Sequence, residues 1–547
     1  MKKIIICSNA YPPNFIGGAE LMAHFHAKVL KKMGYDVLIF TGDVEPNGDR
    51  HAIRREQYEG LDVYRVHLKP EDYQADFVNF SHRRVDEHFE RILESFEPDV
   101  VHMHNIIGLS MGIIHLAKRR GIKTVLTLHD HWGFCFKNTI LTANEEVCRE
   151  FGGCHGCMPL IHDGTDRRIP VRMRQDYFAL QLEEIDAFIS PSHYLADAYI
   201  RAGFSREKMN EIWYGVDVDR YEKVAKTVRG GKIRFSFIGY LGRHKGIHTI
   251  LDALPFLGDY KDFVQINIVG FGDQFDNYKQ QVKSIGWADA VHFWGKVGNP
   301  DIESVYSETD VLILPSIWPE NQPLTIAEAM ACRTPVIASR LGGNPELVQH
   351  GETGYLFEAG NAEDLAQKMS GFIAEPDRID IFGENAFQSM KHNTFENSME
   401  KAIRVYNEEA SGSNQGRETL IVCVGKNVKP ECIRAMESYL QGHSGNRHRF
   451  VMVDWIEEDQ AREAKLLWVI DWKAKTRDVT IGLRNRIPLL VPEKNAVLKE
   501  LCVSSNCGLY YHDEYEAEAC LEYLIRNKKI ASVLGRNGYQ SPALQAG

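Results

Sequence analysis

One stretch, residues 310–357, constrains the fold of this chain more than any other. It opens with the uninterrupted apolar run Val311–Leu314, and a second apolar run follows at 335–338. Runs without polar alternation are typical of parallel strands that are covered on both faces. The pattern between them predicts a helix over residues 324–331, and the turn residues at 342–346 open another short helix. The stretch is therefore a predicted βαβ unit, and ligands of such sheets bind beyond the carboxyl ends of the strands.

Two glutamates of this stretch carry its predicted chemistry. Glu320 lies in the loop and Glu328 lies on the helix. Free backbone N–H groups and the helix dipole favour an anion, such as a diphosphate, at the helix N-terminus. A carboxylate one turn into the helix suits the vicinal hydroxyls of a ribose, and one in the loop suits those of a sugar. The loop residues that lead into the helix are Asn321, Gln322, Pro323 and Leu324.

Two glutamates at this spacing are more often solvated surface residues, but the surrounding motif argues against that reading. The stretch resembles the donor-binding signature of the GT-B glycosyltransferases, specifically the large retaining family 4. The matching residues are Pro315, Ser316, Glu320, Leu324, 328–331, 335–339, Gly342, Gly343, Pro345 and Glu346. The resemblance implies that Glu328 binds the ribose of a nucleotide-diphosphate sugar, while Glu320 and residues 321–324 bind its sugar. The family's Gly-Phe-Gly is Asn-Gln-Pro at 321–323, so the loop around the sugar differs.

A second segment of the same half supplies positive charge. Residues 239–246 resemble the family pattern G-R-L-x-x-x-K-G, which implies that Lys245 binds the donor diphosphate. The family's arginine is Tyr240 here, and Arg243 can reach the same phosphates. Such enzymes typically use no catalytic metal, so side chains must neutralise the leaving diphosphate. We therefore expect no catalytic cofactor.

The N-terminal half carries matching features. Gly17 and Gly18 follow the first apolar strand and allow close approach of the backbone to a phosphate. Their loop resembles the family loop that faces the donor diphosphate and the acceptor. His129 follows another strand in the motif T-x-H-D; a lone histidine is more often structural, but the resemblance implies a catalytic place beside the donor sugar. His102 and His104 end a neighbouring strand and face the same cleft.

Four cysteines follow His129 at close spacing: Cys135, Cys148, Cys154 and Cys157. A C-x-x-C pair with two nearby cysteines in a reducing compartment is typical of zinc ligands. The alternatives are an iron–sulfur cluster and four unconnected thiols in a flexible insertion. A subset of family 4 has similar cysteines after H-D-x-W. We expect a structural zinc that folds a loop over the acceptor cleft.

Basic residues gather after the cysteines, at Arg167, Arg168, Arg172 and Arg174. Such a run usually means a solvated face. The alternative is contact with an anionic acceptor, such as a lipid diphosphate, or with a membrane surface.

Composition excludes other classes of protein. The 547 residues are 44% hydrophobic and 25% charged, as in ordinary globular proteins. The formal charge of −11 argues against nucleic-acid binding. Eleven scattered cysteines indicate a reduced protein rather than a disulfide scaffold. No apolar leader or membrane-spanning run is seen. These features predict a cytoplasmic protein, and the alternative reading of the basic run as a membrane contact would place it at the inner face of the membrane.

The predicted architecture is GT-B, with two Rossmann-like doubly wound domains facing across a cleft and a small C-terminal α/β domain. Residues 1–210 form the acceptor-side domain, with a cysteine-rich insertion at 131–175. Residues 211–410 form the donor domain, whose last helix crosses back to the N-terminal lobe. A flexible linker, 411–417, precedes an accessory domain at 418–547 that faintly repeats the donor lobe without its glutamates.

The predicted function is retaining transfer of a sugar from a nucleotide-diphosphate sugar to a hydroxyl of a glycan or lipid-linked acceptor. A UDP-sugar is favoured, with a GDP-sugar as the alternative, and polysaccharide biosynthesis is the expected context. Two other functions stay open: a non-catalytic nucleotide-sugar sensor and a GT-B nucleotide-sugar epimerase. The altered loop at 321–323 and Tyr240 permit the sensor, whereas intact His129, Lys245 and Glu320 argue against it.

Overall fold

A computed structural model describes most of the chain, and it divides into two compact units. The described residues are 2–15, 17–44, 48–149, 151, 154–165, 168–408, 419–425, 436, 448–541 and 544. Unit 1 comprises residues 1–148, 161–168 and 184–411, and unit 2 comprises 149–160, 169–183 and 412–547. The predicted linker at 411–417 and Arg167 lie outside the described residues.

The N-terminal lobe of unit 1 is built on an eight-stranded sheet. Its strands are β1 (Lys3–Ser8), β2 (Asp36–Val44), β3 (Ile53–Tyr58), β4 (Leu61–Leu68), β5 (Val100–Met103), β6 (Lys123–Thr127), β9 (Ala187–Ser190) and β10 (Met209–Glu211). The short strands β7 (Leu160–His162) and β8 (Arg168–Pro170) form a separate two-stranded sheet. The sheet order is β10-β9-β6-β5-β1-β2-β4-β3. All neighbours are parallel except β3 and β4.

Helices cover this sheet, because strands such as β1 and β5 are mainly apolar on both faces, with β5 buried throughout and β1 buried from Ile4 onward. The helices of the lobe are Gly18–Lys32, Arg83–Phe96, Gly112–Arg119 and His193–Arg201, with short 3₁₀ turns at Pro70–Tyr73 and Arg206–Lys208. The antiparallel pair β3–β4 was not predicted from the sequence. Its outer strand reads Ile-Arg-Arg-Glu-Gln-Tyr, which has no apolar run, and Glu59 and Gly60 turn the chain with φ of 47° and 77°.

The C-terminal lobe of unit 1 has a six-stranded sheet that is parallel throughout. Its strands are β11 (Ile233–Ile238), β12 (Val264–Val269), β13 (Val291–Gly295), β14 (Val311–Leu314), β15 (Val336–Ser339) and β16 (Gly354–Phe357). They run in the order β13-β12-β11-β14-β15-β16. The helices are Val218–Tyr221, Ile247–Ala253, Phe275–Ser284, Ile302–Ser307, Leu324–Ala331, Asn344–Leu347, Ala362–Ala374, Asp377–Met390 and Phe395–Asn407, with 3₁₀ segments Arg243–Lys245, Leu254–Phe263 and Asn299–Asp301.

The last of these helices belongs to the core of the other lobe. Met399, Ala402 and Tyr406 of helix Phe395–Asn407 lie in one buried cluster with Ile4 and Ala23 of the N-terminal lobe. The predicted pair of doubly wound α/β domains is thereby confirmed.

Unit 2 contains a third parallel sheet. Its strands are β17 (Thr419–Val424), β18 (His448–Val453), β19 (Ala464–Val469), β20 (Leu489–Pro492) and β21 (Gly508–Tyr511), in the order β18-β17-β19-β20-β21. The helices of the unit are Cys154–Cys157, Val171–Glu183, Glu458–Glu463, Thr476–Arg484, Ala496–Ser505, Glu514–Arg526 and Lys528–Tyr539. The strand order matches that of the six-stranded sheet in the C-terminal lobe of unit 1, if the outer strand β13 of that sheet is left out.

The described basic residues after the cysteines differ in exposure: Arg168 is exposed, Arg172 is partly buried and Arg174 is buried. Arg174 is 3% exposed and its guanidinium stacks on Phe178 at 3.9 Å from the ring centroid. Arg172 pairs with Asp176 at 3.0 Å and donates to the carbonyl of Ser505. The interpretation as a solvated face was therefore wrong for Arg174, which packs inside unit 2, whereas the Arg172 side chain is 36% exposed.

Within the described ranges, no helix combines the length and the apolar character that crossing a membrane requires.

Candidate active site

One carboxylate oxygen organises the loop after β14. Oε1 of Glu320 accepts hydrogen bonds from Lys245 Nζ at 2.8 Å, Ser316 Oγ at 2.6 Å and Trp318 Nε1 at 2.8 Å. The Lys245 ammonium also lies 5.0 Å from the centroid of the Trp318 ring. Glu320 is buried, so its charge is compensated by Lys245 at short range. Two residues predicted from separate motifs, Lys245 and Glu320, thus meet in one site.

Glycines let the backbone close around this loop. Gly246 has a φ of 75°, and a Cβ there would lie 1.9 Å from the carbonyl oxygen of Pro315. Gly342 has a φ of 62°, and its Cβ would lie 2.2 Å from the carbonyl oxygen of Glu320. Both positions need glycine for conformation and for space. The glycines of the sequence motif therefore hold Lys245 and Glu320 in register.

The helix that follows, Leu324–Ala331, begins at the interface of the two lobes. Its N-cap is Pro323, which has no side-chain cap, so backbone N–H groups of the first turn stay available to a ligand. A Cβ on Gly18 would lie 3.2 Å from Cδ1 of Leu324, so the N-terminal glycine loop packs directly on the start of this helix. Gly17 donates its N–H to Glu20 at 2.8 Å.

His129 lies at the end of β6 and is held through both ring nitrogens. Its Nδ1 lies 2.6 Å from the hydroxyl of Tyr214, and its Nε2 lies 2.8 Å from Nδ1 of His104. Burial lowers the pKa of His129 to about 3, so the imidazole is neutral at neutral pH. Its backbone carbonyl accepts a hydrogen bond from Asn321 Nδ2 at 2.6 Å. The predicted catalytic histidine therefore touches the predicted sugar-binding loop through its main chain.

Gln322 connects the same loop to Tyr214, which lies between β10 of the N-terminal lobe and β11 of the C-terminal lobe. Its Oε1 accepts from the backbone N–H of Tyr214 at 2.6 Å. Asn393 Nδ2 donates to the carbonyl of Tyr214 at 2.8 Å. Asn321 and Gln322, which replace the family's glycine and phenylalanine, thus fasten the loop to His129 and Tyr214.

Glu328 lies deeper on the helix, facing two tyrosines. The hydroxyl of Tyr306 donates to its Oε2 at 2.6 Å, and Tyr221 lies beside the same carboxylate. Burial raises the pKa of Glu328 above its ordinary value, although both tyrosines favour the charged form. Its carboxylate is placed one turn into the helix, as the sequence predicted.

Arg243 and Tyr240 lie at the edge of the site. Arg243 Nε lies 3.3 Å from both carboxylate oxygens of Glu145, and both side chains are about half exposed. Tyr240 is 52% exposed. The structure therefore directs Arg243 toward Glu145, whereas Lys245 is the cation beside Glu320.

Three further residues complete the site, and the sequence assigned no contact in it to any of them. Tyr214 contacts His129, Trp318 contacts Glu320, and the carboxylate of Glu346 accepts the N–H groups of His193 and Tyr194 at 2.9 and 2.7 Å. The last contact joins the donor-side helix Asn344–Leu347 to the start of helix His193–Arg201. Trp318 lies two residues before Glu320, whereas the partners of Tyr214 and Glu346 lie 85 or more residues away, so no local pattern identifies those two pairs.

The four cysteines divide between the units. Cys135 and Cys148 belong to unit 1, whereas Cys154 and Cys157 belong to unit 2, where they begin and end a single helical turn. Two groups of side chains among the described residues have ligand atoms within 4.8 Å of one another, and neither contains a cysteine. Thiol donors suit zinc chemically, and the cysteine site stays a prediction.

Comparisons with known proteins agree with this geometry. The family model described as glycosyltransferase family 4 matches residues 16–220, and the model of glycosyl transferases group 1 matches residues 219–389. Spore coat protein SA of Bacillus subtilis is 26% identical over 39% of the chain, a match that spans 62% of that protein's length. Glycogen synthase of Mycobacterium tuberculosis is 24% identical over 68% of the chain and 86% of its own length.

Solved structures share the fold. Sucrose-phosphate synthase from Thermosynechococcus elongatus superposes with a TM-score of 0.55 at 20% identity, over 74% of this chain and 98% of that one. Anabaena HepE in complex with UDP-glucose superposes with a TM-score of 0.53 at 18% identity, over 74% of this chain and 99% of that one. The fold and the matched segments define a GT-B glycosyltransferase. Together the two family models cover residues 16–389, and both describe glycosyltransferases.

Proposed function

We propose that the protein moves a sugar from a UDP-sugar to a hydroxyl of a glycan or lipid-linked acceptor, with retention of configuration. The observation that carries this proposal is the convergence of Lys245, Ser316 and Trp318 on Glu320, directly before the uncapped helix Leu324–Ala331. A cation, a carboxylate and free backbone N–H groups in one place suit a diphosphate that carries a sugar.

In the proposed complex each part of the donor has its own partner. Glu328 accepts the ribose hydroxyls, and Tyr306 keeps its carboxylate oriented through a 2.6 Å hydrogen bond. The Lys245 ammonium leaves Glu320 and pairs with the diphosphate. Oε2 of Glu320 then accepts sugar hydroxyls, while Ser316 and Trp318 hold Oε1 in place. Arg243 contributes further positive charge when it leaves Glu145.

Departure of the diphosphate leaves an oxocarbenium-like sugar. The acceptor hydroxyl attacks from the face that the diphosphate leaves, and its proton passes to the departing phosphate oxygen. Lys245 and the helix N-terminus stabilise the negative charge that develops on the leaving group. His129, neutral at physiological pH, lies beside the sugar and is fixed by Tyr214 and His104. Family membership supports retention.

A UDP-sugar is the favoured donor because UDP and UDP-glucose are named in the complexes of the structural neighbour HepE. A GDP-sugar is the alternative. For the acceptor we propose an intermediate of polysaccharide biosynthesis, encountered in the cytoplasm at the inner face of the membrane. We also propose that Cys135, Cys148, Cys154 and Cys157 take part in a structural zinc site.

A donor panel tests the proposal. Purified protein is incubated with UDP-, GDP- and ADP-sugars, and nucleotide release and sugar hydrolysis are followed by NMR, with Glu320→Ala in parallel. Slow release from one donor that is lost in the variant supports the proposal. Binding without release, even with mixed acceptors present, would favour a non-catalytic sensor. Absence of binding to any donor would overturn the assignment of this loop.

A further inference from the structure

Three buried histidines form a cluster in the N-terminal lobe, behind His129. His26 lies on helix Gly18–Lys32, whereas His102 and His104 lie at the end of β5. One ring nitrogen from each lies within 4.8 Å of the other two. Their exposures are 3%, 0% and 0%. Histidine is seldom buried as a group of three, so the cluster requires a physical reason.

The cluster leaves ring nitrogens without partners among the described residues. Both nitrogens of His26 and Nε2 of His104 have no hydrogen-bond partner there. His102 is satisfied, because its Nε2 lies 2.7 Å from Thr127 Oγ1 and its Nδ1 lies 2.7 Å from the hydroxyl of Tyr406. An unsatisfied buried polar atom destabilises the folded state, because it has lost its hydrogen bonds to water without replacement. A bound group that engages His26 and His104 would remove this cost.

The burial of the rings favours a metal over an anion. All three side chains are at most 3% exposed, and removal from water disfavours a charged imidazole. Neutral imidazoles offer lone pairs and carry no charge that attracts an anion. Imidazole nitrogen is a preferred ligand of zinc and its first-row neighbours.

We propose that His26, His102 and His104 bind a zinc ion through one nitrogen each. Tetrahedral zinc with Zn–N distances of about 2.0–2.1 Å separates its ligands by about 3.4 Å, so the rings must approach one another by no more than about 1.4 Å. His102 gives up one of its two hydrogen bonds, to Thr127 or to Tyr406. The site is distinct from the four cysteines and from the groups that face the donor.

This zinc would act on His129 through the hydrogen-bond chain. A metal on Nε2 of His104 takes its lone pair, so Nδ1 of His104 carries the proton and donates to Nε2 of His129. His129 then holds its own proton on Nδ1 and donates it to Tyr214. The Tyr214 hydroxyl in turn donates to the carbonyl of Leu128 at 3.0 Å. His26, His102 and His104 are thus positioning residues that fix the tautomer of His129.

Cobalt substitution tests the site in the full chain. The metal-depleted double variant Cys154→Ser/Cys157→Ser is titrated with Co²⁺, which reports a nitrogen-only site by d–d absorption without the near-ultraviolet charge transfer of thiolates. We expect one bound cobalt of this kind per chain. Adding His26→Phe, which keeps a ring of similar size without a ligand atom, should weaken cobalt binding at least tenfold.

A second measurement does not depend on a variant that folds. In the wild-type chain labelled with ¹⁵N-histidine, zinc should move three imidazole resonances, and the His129 resonance should show a single Nδ1–H tautomer. Unchanged imidazole resonances on addition of zinc, or cobalt binding that survives His26→Phe unchanged, would overturn the proposal and leave water as the occupant of the cluster.

Discussion

Glu320 is the residue on which the donor loop depends, because three donors share its Oε1. Replacing it by glutamine keeps the size but removes the charge that faces Lys245. We expect Glu320→Gln to lower kcat/KM for the preferred donor at least about 100-fold, as the loss of a transition-state contact does. The free energy of unfolding should fall by about 1–3 kcal/mol. Nucleotide release and urea unfolding measure the two effects.

Glu352→Gln is the matched control for this prediction. Glu352 is exposed on the turn before β16, so the same change of charge there should alter neither quantity measurably. If the two variants behaved alike, the loss would reflect net charge rather than the contacts of Glu320.

Glu328 gives a prediction about pH. Burial raises its pKa in the folded protein above the ordinary 4.5. The folded state therefore binds more protons than the unfolded state between the two pKa values, and stability falls as pH rises through that window. Glu328→Gln removes this titration. We expect the free energy of unfolding of the variant to fall less steeply than that of the wild type as pH rises above 4.5.

The measurement for Glu328 is urea unfolding from pH 4 to pH 7 in both proteins. Parallel pH profiles would show that the carboxylate does not titrate in that window. In the same variant the KM for the donor should rise, because a neutral amide is a weaker acceptor for ribose hydroxyls than a carboxylate.

At the scale of elements, the turn between the 3₁₀ segment Arg243–Lys245 and helix Ile247–Ala253 sets the position of the Lys245 side chain. Gly246 ends that segment with a φ of 75° and packs against the carbonyl of Pro315. Gly246→Ala adds backbone strain of about 1–3 kcal/mol and forces the Pro315 loop away. We expect Tm to fall by several degrees and donor affinity to fall with it, as measured by calorimetry.

Gly258→Ala serves as the control, because no atom lies within 4 Å of a Cβ built there. Its Tm should stay close to that of the wild type. A Gly246→Ala protein with unchanged Tm and donor affinity would contradict the role assigned to this turn.

Elements with a strong local pattern were predictable from sequence. The helix Leu324–Ala331 and the strand Val311–Leu314 lie where the apolar periodicity predicted them. Strand β3 was missed because it is an edge strand with charged residues, for which the pairing with β4 supplies the structure. The apolar pattern of a segment predicts which of its faces is buried. The pairing of an edge strand depends on a neighbouring strand, which the segment's own sequence does not identify.

The same division applies to the site. Lys245 and Glu320 were each identified within a motif, and the fold brings their charged atoms to 2.8 Å. Tyr214, between β10 and β11, contacts His129 after β6. The two segments are far apart in the chain, so their spacing in the sequence does not predict this contact. The predicted roles of Glu320, Glu328, Lys245 and His129 stay predictions that the experiments above test.

At the scale of the whole molecule, unit 2 repeats details of the donor lobe. Arg333 and Arg486 both adopt left-handed φ, at 54° and 59°. A Cβ on Gly383 would meet the carbonyl oxygen of Arg333 at 2.2 Å, and one on Gly535 would meet that of Arg486 at 1.8 Å. If Arg333 is aligned with Arg486, Glu328, five residues before the first arginine, corresponds to Ile481, five residues before the second. The repeated fold thus carries no carboxylate at the ribose position, which favours a role other than donor binding.

Unit 2 also recruits chain from outside residues 418–547. Helix Val171–Glu183 belongs to it, with Val171, Phe178 and Leu182 buried to within 1% exposure. Arg172 donates to the carbonyl of Ser505, and Asn506 lies 3.5 Å from Asp176. The C-terminal segment is therefore part of a unit that begins within the N-terminal half of the chain, rather than an independent appendage.

Because unit 2 combines segments from both halves of the chain, truncation of the C-terminal segment should affect the remaining part of the unit. A chain ending at residue 417 keeps the helix Val171–Glu183 but loses the sheet of its unit, so apolar surface becomes exposed at a cost of about 25 cal/mol per Å². We expect the truncated chain to bind a hydrophobic dye, to aggregate on size exclusion, and to recover when residues 418–547 are co-expressed as a separate chain. Cleavage of the full protein at a protease site inserted within 412–417 is the control, because both segments remain present and the unit should persist. A truncated chain that stays monomeric, binds no dye and releases nucleotide at the wild-type rate would show that unit 2 is dispensable for the fold of the transferase.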